Sequence, residues 1–191
     1  MTDTDTVLIK RFISGSEPAF EELVNKHYQK AFQIAYGLLS NSHDAEEVVQ
    51  DAFMKVYKNL KKFRGDAKFT TWLYRIVTNL ARNKYHWHKR RGSELNISIS
   101  DSLDEKKIDM EIPDIKNEPI RILEYAEVEN NLNKALSKLP EKLREVLILR
   151  HFEEMPYTAI ANVLNCELGT VKSRLARARE GLKVELSKLT C

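Results

Sequence analysis

The stretch Leu164–Glu180, LNCELGTVKSRLARARE, decides how this chain is read. Lys172, Arg174, Arg177 and Arg179 fall within eight positions, separated by small and apolar residues. A solvated surface helix usually mixes signs, and this one hardly does. At about 100° per residue, Val171, Leu175, Ala178 and Leu182 share one narrow face, the expected core stripe. Ser173, Ala176 and Arg177 point away from it. Lys172 and Arg179 lie on one flank and Arg174 on the other. Small outward residues let a helix approach base edges in a major groove, arginine can hold guanine bidentately, and alanine can touch a thymine methyl. Cationic flanks and a helix N-terminus suit phosphates.

Working upstream, Pro156 opens a short helix whose Ile160, Val163 and Leu164 face inward, and Asn165–Glu167 read as a tight turn. Short helix, turn and basic helix together make a helix-turn-helix. The bland reading of a basic amphipathic helix alone is a solvated surface. The three-part arrangement favours a reader of duplex DNA.

The same helical spacing continues towards the N-terminus. Pro140 opens a helix carrying Leu143, Val146, Leu147 and Leu149, at a position where its missing N–H does no harm. Glu124 to Leu136 is the helix before it. Further upstream, helices are expected from Asp5 to Ile13, from a Ser16 cap to Leu39, from an Asn41 or Ser42 cap through Leu60, and from about Lys68 towards His88. No strand-like alternation and no internal repeat is long enough to count. Six Gly and five Pro in 191 residues also argue against an all-β protein full of tight turns.

Charge is segregated along the chain. Residues 1–91 hold 16 Lys/Arg against 10 Asp/Glu, residues 92–122 hold 4 against 8, and residues 123–191 hold 11 against 10. The acidic segment 92–122 has two prolines, Pro113 and Pro119, and no sustained periodicity, so it reads as a linker. The expected fold is all-α: two small helical domains, 1–91 and 123–191, joined by a flexible linker, the second containing the helix-turn-helix. No run approaches the roughly 20 apolar residues of a membrane span. The acidic, polar start MTDTDTVLIK lacks the plan of a secretion signal, so a cytoplasmic location is expected. Two cysteines, Cys166 in the turn and Cys191 at the end, suggest neither a structural disulfide nor a zinc site. No cofactor and no metal is expected.

The helix after Lys68 carries a second basic surface. From Lys61 to Arg91 there are ten Lys/Arg and one acid, Asp66, interleaved with Phe63, Phe69, Trp72, Tyr74, Tyr85 and Trp87. Phe69, Leu73, Ile76, Val77 and Leu80 form the core face. Thr71, Arg75, Thr78, Arg82 and Tyr85 form the opposite one, and Trp72 and Asn79 share an edge. Packing accounts for Phe69 and Trp87. Arg75, Arg82, Lys84 and Tyr85 face outward together, and cations beside aromatic and amide groups suit single-stranded DNA. The helix at Ser42 has opposite polarity. Asp44 and Glu46 are explained by the positive end of the helix. Glu47, Gln50, Asp51 and Met54 lie together away from the apolar face and suit a protein partner with a basic surface.

At this point the chain resembles a known family. DAEEVVQDAFMKVYKNLKKFRGDAKFTTWLYRIVTNLARN, followed after a linker by LPEKLREVLILRHFEEMPYTAIANVLNCELGTVKSRLARAREGLK, resembles the bacterial extracytoplasmic-function (group IV) sigma factors of the sigma-70 family. Both blocks occur in the family's order and spacing. The resemblance implies a factor that binds core RNA polymerase, through the β′ clamp helices and the β flap, and directs it to promoter DNA. It implies that Asp44, Glu47, Gln50, Asp51 and Met54 dock on the polymerase. It implies that Phe63, Arg64, Trp72, Arg75, Asn79, Arg82, Lys84 and Tyr85 melt and read the −10 element, with a flipped base near Asn79. Thr170, Lys172, Ser173, Arg174, Ala176, Arg177 and Arg179 would then read the −35 element as duplex. In the family the linker runs towards the RNA exit path, and an anti-sigma factor, membrane-bound in some cases, holds many members inactive. The position after Tyr157, often acidic in the family, is Thr158 in this chain.

Two other function classes fit less well. An ordinary helix-turn-helix regulator leaves the basic-aromatic helix and the acidic face unemployed, and no heptad seam for a dimer is visible. An enzyme lacks support: there is no phosphate loop, no HExxH and no paired catalytic constellation, and His86 and His88 read as surface residues.

Overall fold

In the computed structural model, residues 4–94 and 119–189 are described, and every regular element among them is helical. The N-terminal module comprises α1 (Thr4–Ile13), α2 (Glu17–Leu39), α3 (Ser42–Asn59), a 3₁₀ turn (Leu60–Lys62) and α4 (Phe69–Glu94). The C-terminal module comprises α5 (Pro119–Lys138), α6 (Glu141–Glu153), α7 (Tyr157–Leu164) and α8 (Leu168–Leu189). The segment expected as an acidic linker, 92–122, is described only at its two ends. Helix α4 runs to Glu94, and α5 starts at Pro119, a residue that a first helical turn tolerates. The remainder, 95–118, lies outside the described residues. Among the described residues no helix is long and apolar enough to cross a membrane.

Local chemistry explains the boundaries. The Asn41 side chain accepts the Asp44 N–H at 2.9 Å and so caps α3, whereas Ser16 stands at the cap position of α2 without a side-chain bond, with Pro18 in the first turn. Helix α7 ends at Asn165, which adopts a left-handed conformation (φ 50°) that Asn tolerates better than most residues; this makes the tight turn. In the first module the apolar faces of α2, α3 and α4 meet through Leu23, Ile34, Val49, Val56, Leu73 and Val77, all buried. Helix α1 closes one end, with Phe12, Phe20 and Tyr57 in mutual ring contact at 5.0–5.3 Å. Asp5 is buried there, bonded by Lys26 at 2.7 Å and His27 at 3.0 Å. Burial opposes its ionisation, but those two partners outweigh it and hold the carboxyl below its ordinary value.

The modules pack on each other, α6 against α2 and α7 against α4. Helix α6 is buried from Arg144 to Leu149, with apolar Val146, Leu147, Ile148 and Leu149 running round its circumference. Its approach to α2 is close: a Cβ on Gly37 would sit 3.0 Å from Ile148 Cδ1. Arg144, 4% exposed, uses its guanidinium to serve two helix ends. It donates to the Leu38 carbonyl of α2 at 2.8 Å and to the Ser137 and Leu139 carbonyls at the end of α5 at 3.4 Å. Carbonyls at a helix C-terminus have no partner within the helix and carry partial negative charge, which a cation satisfies.

Candidate nucleic-acid interfaces and docking face

Helix α8 is built as the sequence suggests. Val171, Leu175 and Ala178 are buried, and Leu182 packs against the same core. Lys172, Ser173, Ala176, Arg177 and Arg179 are exposed, so small residues and cations share the free face. Thr170 and Arg174 are half-buried. The Ser173 hydroxyl donates to the Thr170 carbonyl at 3.0 Å, and Arg174 leans back towards the turn, Nη1 lying 3.9 Å from Cys166 Sγ.

Helix α4 departs from expectation on the face opposite its own core. Thr71 and Thr78 are buried rather than outward, because α7 packs on this helix. Arg82 turns to the C-terminal module. Its Nη2 and Nε lie 2.6 and 2.8 Å from Glu145 Oε1, and Nε lies 3.5 Å from Glu141. Burial raises the Glu145 carboxyl above its ordinary value, against the pull of Arg82. The Arg144 guanidinium stands 5.3 Å from the centre of the Tyr85 ring. His86 pairs with Glu141 at 3.2 Å. Lys84 turns the other way, to Glu47 and, at 3.3 Å, to Asp44, which also meets His88 at 2.9 Å. Trp87, expected to be packed, is 43% exposed, with the Arg91 guanidinium 4.7 Å from its ring centre.

What remains together of the basic-aromatic set lines a cleft of about 840 Å³. Phe63, Arg64, Trp72 and Arg75 form one wall with Lys55 and Lys62; Asn162, Asn165, Cys166 and Glu167 of α7 and its turn form the other. Phe63 and Trp72 are in ring contact at 5.1 Å. Asn79 is exposed. Sequence reasoning places Trp72, Arg75 and Asn79 on one helix with Phe63 and Arg64 just before it, but not the opposing wall, which comes from the second module.

The acidic face on α3 is open. Glu47, Gln50, Asp51 and Met54 are exposed, Met54 by 55%, and Asp44 is half-buried. Hydrogen bonding from Lys84 holds the Glu47 carboxyl below its ordinary value and, reciprocally, raises the Lys84 ammonium. His43, Asp44 and Glu47 bring their donor atoms within 4.8 Å of one another. The ammonium of Lys84 bonds two of the three, so part of the charge of this cluster is met from within the protein.

Comparison with known proteins matches both modules. The family description sigma-70 region 2 fits residues 23–92, and sigma-70 region 4 fits residues 129–182. The chain is 36% identical over 187 residues to the RNA polymerase sigma-H factor of Pseudomonas aeruginosa, covering 98% of this chain and 96% of that protein. It is 32% identical over 183 residues to the ECF RNA polymerase sigma factor SigW of Bacillus subtilis, covering 95% and 96%. Among solved structures, CnrH in complex with the cytosolic domain of CnrY is similar with a TM-score of 0.70 at 27% identity, covering 97% of this chain and 99% of that one.

Proposed function

This chain belongs to the extracytoplasmic-function RNA polymerase sigma factors of the sigma-70 family, and we propose that its three surfaces divide the work of promoter-specific initiation between them. The acidic α3 face, Asp44, Glu47, Gln50, Asp51 and Met54, docks on core polymerase. The α4 region, from Phe63 to Tyr85, melts and reads the −10 element as a single strand. The free face of α8 reads the −35 element as duplex. In this division residues 1–91 hold polymerase and strand, 123–191 hold duplex, and the acidic segment 92–122 links them. The factor acts in the cytoplasm, performs no catalysis of its own, and is held in check by an anti-sigma partner.

The observation that carries this reading is the coexistence on one chain of surfaces with opposed chemistry. A duplex reader alone needs only α8, where exposed Ser173 and Ala176 allow close approach and Arg177 and Lys172 supply charge. It has no use for an exposed anionic patch on α3, which DNA repels, nor for Phe63, Trp72 and Arg75 along a cleft. The test is run-off transcription with purified core polymerase on genomic fragments. Start sites that appear only with this chain, sharing spaced −35 and −10 sequences, are expected. Transcription unchanged by its addition, with tight binding to a defined duplex without polymerase, would reassign it as a simple regulator.

A further inference from the structure

Two histidines beside the acidic face of α3, His43 and His88, belong to neither the docking set nor the reading sets. His43 and Glu47 are four residues apart, so they share one side of α3, and Asp44 adjoins them. The donor atoms of these three lie within 4.8 Å of one another. His88 reaches the same point from α4, which packs on α3; its Nε2 lies 2.9 Å from Asp44 Oδ2. Lys84, one turn before His88, bonds Glu47 and lies 3.3 Å from Asp44. A cation of the protein itself therefore already sits where the two carboxylates converge. Two carboxylates against one ammonium leave one negative charge at that point.

We propose that His43, Asp44, Glu47 and His88 form a site for a divalent transition-metal ion such as zinc, and that filling it weakens docking of the α3 face on polymerase. The effect on docking rests on the assignment of α3 made above. Two imidazoles with two carboxylates suit zinc and similar ions, whereas magnesium and calcium prefer an all-oxygen set. Four donors are also the usual number for zinc. The competitor is Lys84. Its flexible four-carbon stem lets the ammonium withdraw, and the Trp87 ring, 5.9 Å from Nζ, offers it a second resting place. The positive end of α3 opposes a cation as well, but that effect is small and is met by Asp44 in the first turn. These two opposing charges suit the site to answer raised metal rather than to hold an ion permanently. A bound ion engages the carboxylates of Asp44 and Glu47 and reverses the local charge. A basic surface that those carboxylates attract then meets a positive site.

The test titrates the full-length chain, stripped of metal by a chelator, with zinc chloride by calorimetry and with cobalt(II) by its visible spectrum. His43→Ala and His88→Ala change exposed residues, and circular dichroism checks that helicity is kept. One zinc ion per chain is expected for wild type. Either histidine variant should lose at least about tenfold in affinity and change the cobalt spectrum. Lys84→Met, which removes the competing ammonium, should gain several-fold, where a merely structural role for Lys84 predicts a loss. Core polymerase is then retained on the immobilised chain with and without saturating zinc. Zinc should lower retention by wild type but not by the chain carrying both His43→Ala and His88→Ala, and without zinc the two chains should retain polymerase equally. Zinc bound equally by wild type and the double variant would mean adventitious binding elsewhere and would overturn the site. Zinc bound through the two histidines with retention unaffected would overturn the control of docking. If Asp51→Lys weakens retention in that case, only metal control fails. If Asp51→Lys also leaves retention unchanged, the docking assignment of α3 falls with it.

Discussion

Helices α4 and α8 are both basic, amphipathic and long, yet they meet their surroundings differently. On α8, Lys172, Arg177 and Arg179 project from a face that no described residue covers. On α4, Arg82 and Lys84 are both engaged, one by the other module and one by the acidic face of its own. Clustered cations state only that an anionic partner is wanted. Whether that partner is DNA or a carboxylate of the same chain depends on packing. Positive charge that is already paired inside a protein is not available to a phosphate until the pair is broken, and this places a threshold on one helix and none on the other.

The comparison can be broken most forcefully on the third surface. Asp51→Lys puts a cation into the exposed acidic face, and like charges across a docking interface cost several kcal/mol. Core polymerase retained on the immobilised variant should fall more than about tenfold, with unchanged helicity. Retention equal to wild type would remove α3 from the docking role. Next come matched substitutions on the two helices. Arg177→Ala should weaken recognition at one −35 position by about 1–3 kcal/mol, relaxing selectivity there. Arg82→Ala in the free protein both removes a phosphate ligand and releases Glu145, so its effect on strand affinity should be smaller than that of Arg177→Ala on duplex. Equal losses, measured by anisotropy, would mean that α4 is as free as α8.

Acid separates the scaffold from the readers. Asp5 is held below its ordinary value in the folded protein, so its contribution is fully present above about pH 4 and is lost as pH falls through the lowered value. Asp5→Asn should cost about 1–2 kcal/mol at pH 7, the lower part of the range for hydrogen bonds to a charged group because Lys26 is partly exposed. It should also flatten the acid arm of a melting-temperature profile, while α8 binds duplex as before. An unchanged profile would leave Asp5 without a stabilising role. The smallest effect is expected at Thr78. Its hydroxyl oxygen is buried without a partner among the described residues, so Thr78→Val should raise stability by up to about 1 kcal/mol. A large loss would show that this hydroxyl is bonded through water.

Much of the fold was legible because local patterns agreed with the packing. The stripe Val171, Leu175, Ala178, the Pro140 and Pro156 starts, and the Asn165 turn all stand where the sequence puts them. The face of α4 was not legible in the same way. A single helix shows which side is apolar but not that a second module will cover the polar side, so Thr71 and Thr78 read as outward and are buried. The signal that was missed lies elsewhere, in Val146, Leu147, Ile148 and Leu149. Four consecutive apolar residues in a helix leave no face for water, and such a helix must be covered on more than one side. The charged neighbours Arg144 and Glu145 carried the same message. Buried charges need partners, and theirs are Leu38 O, Tyr85 and Arg82 in the other module.

Gly37 shows how one module can be shaped by the other. Within α2 alone a glycine is a poor choice, less favourable than alanine by up to about 1 kcal/mol in a helix interior. The N-terminal module therefore carries a local weakness that nothing in its own core explains, and the explanation is the flank of Ile148. The two modules are in this sense co-adapted. Transplanting either one into a chimera with an unrelated counterpart would keep the weakness and lose the neighbour that accounts for it.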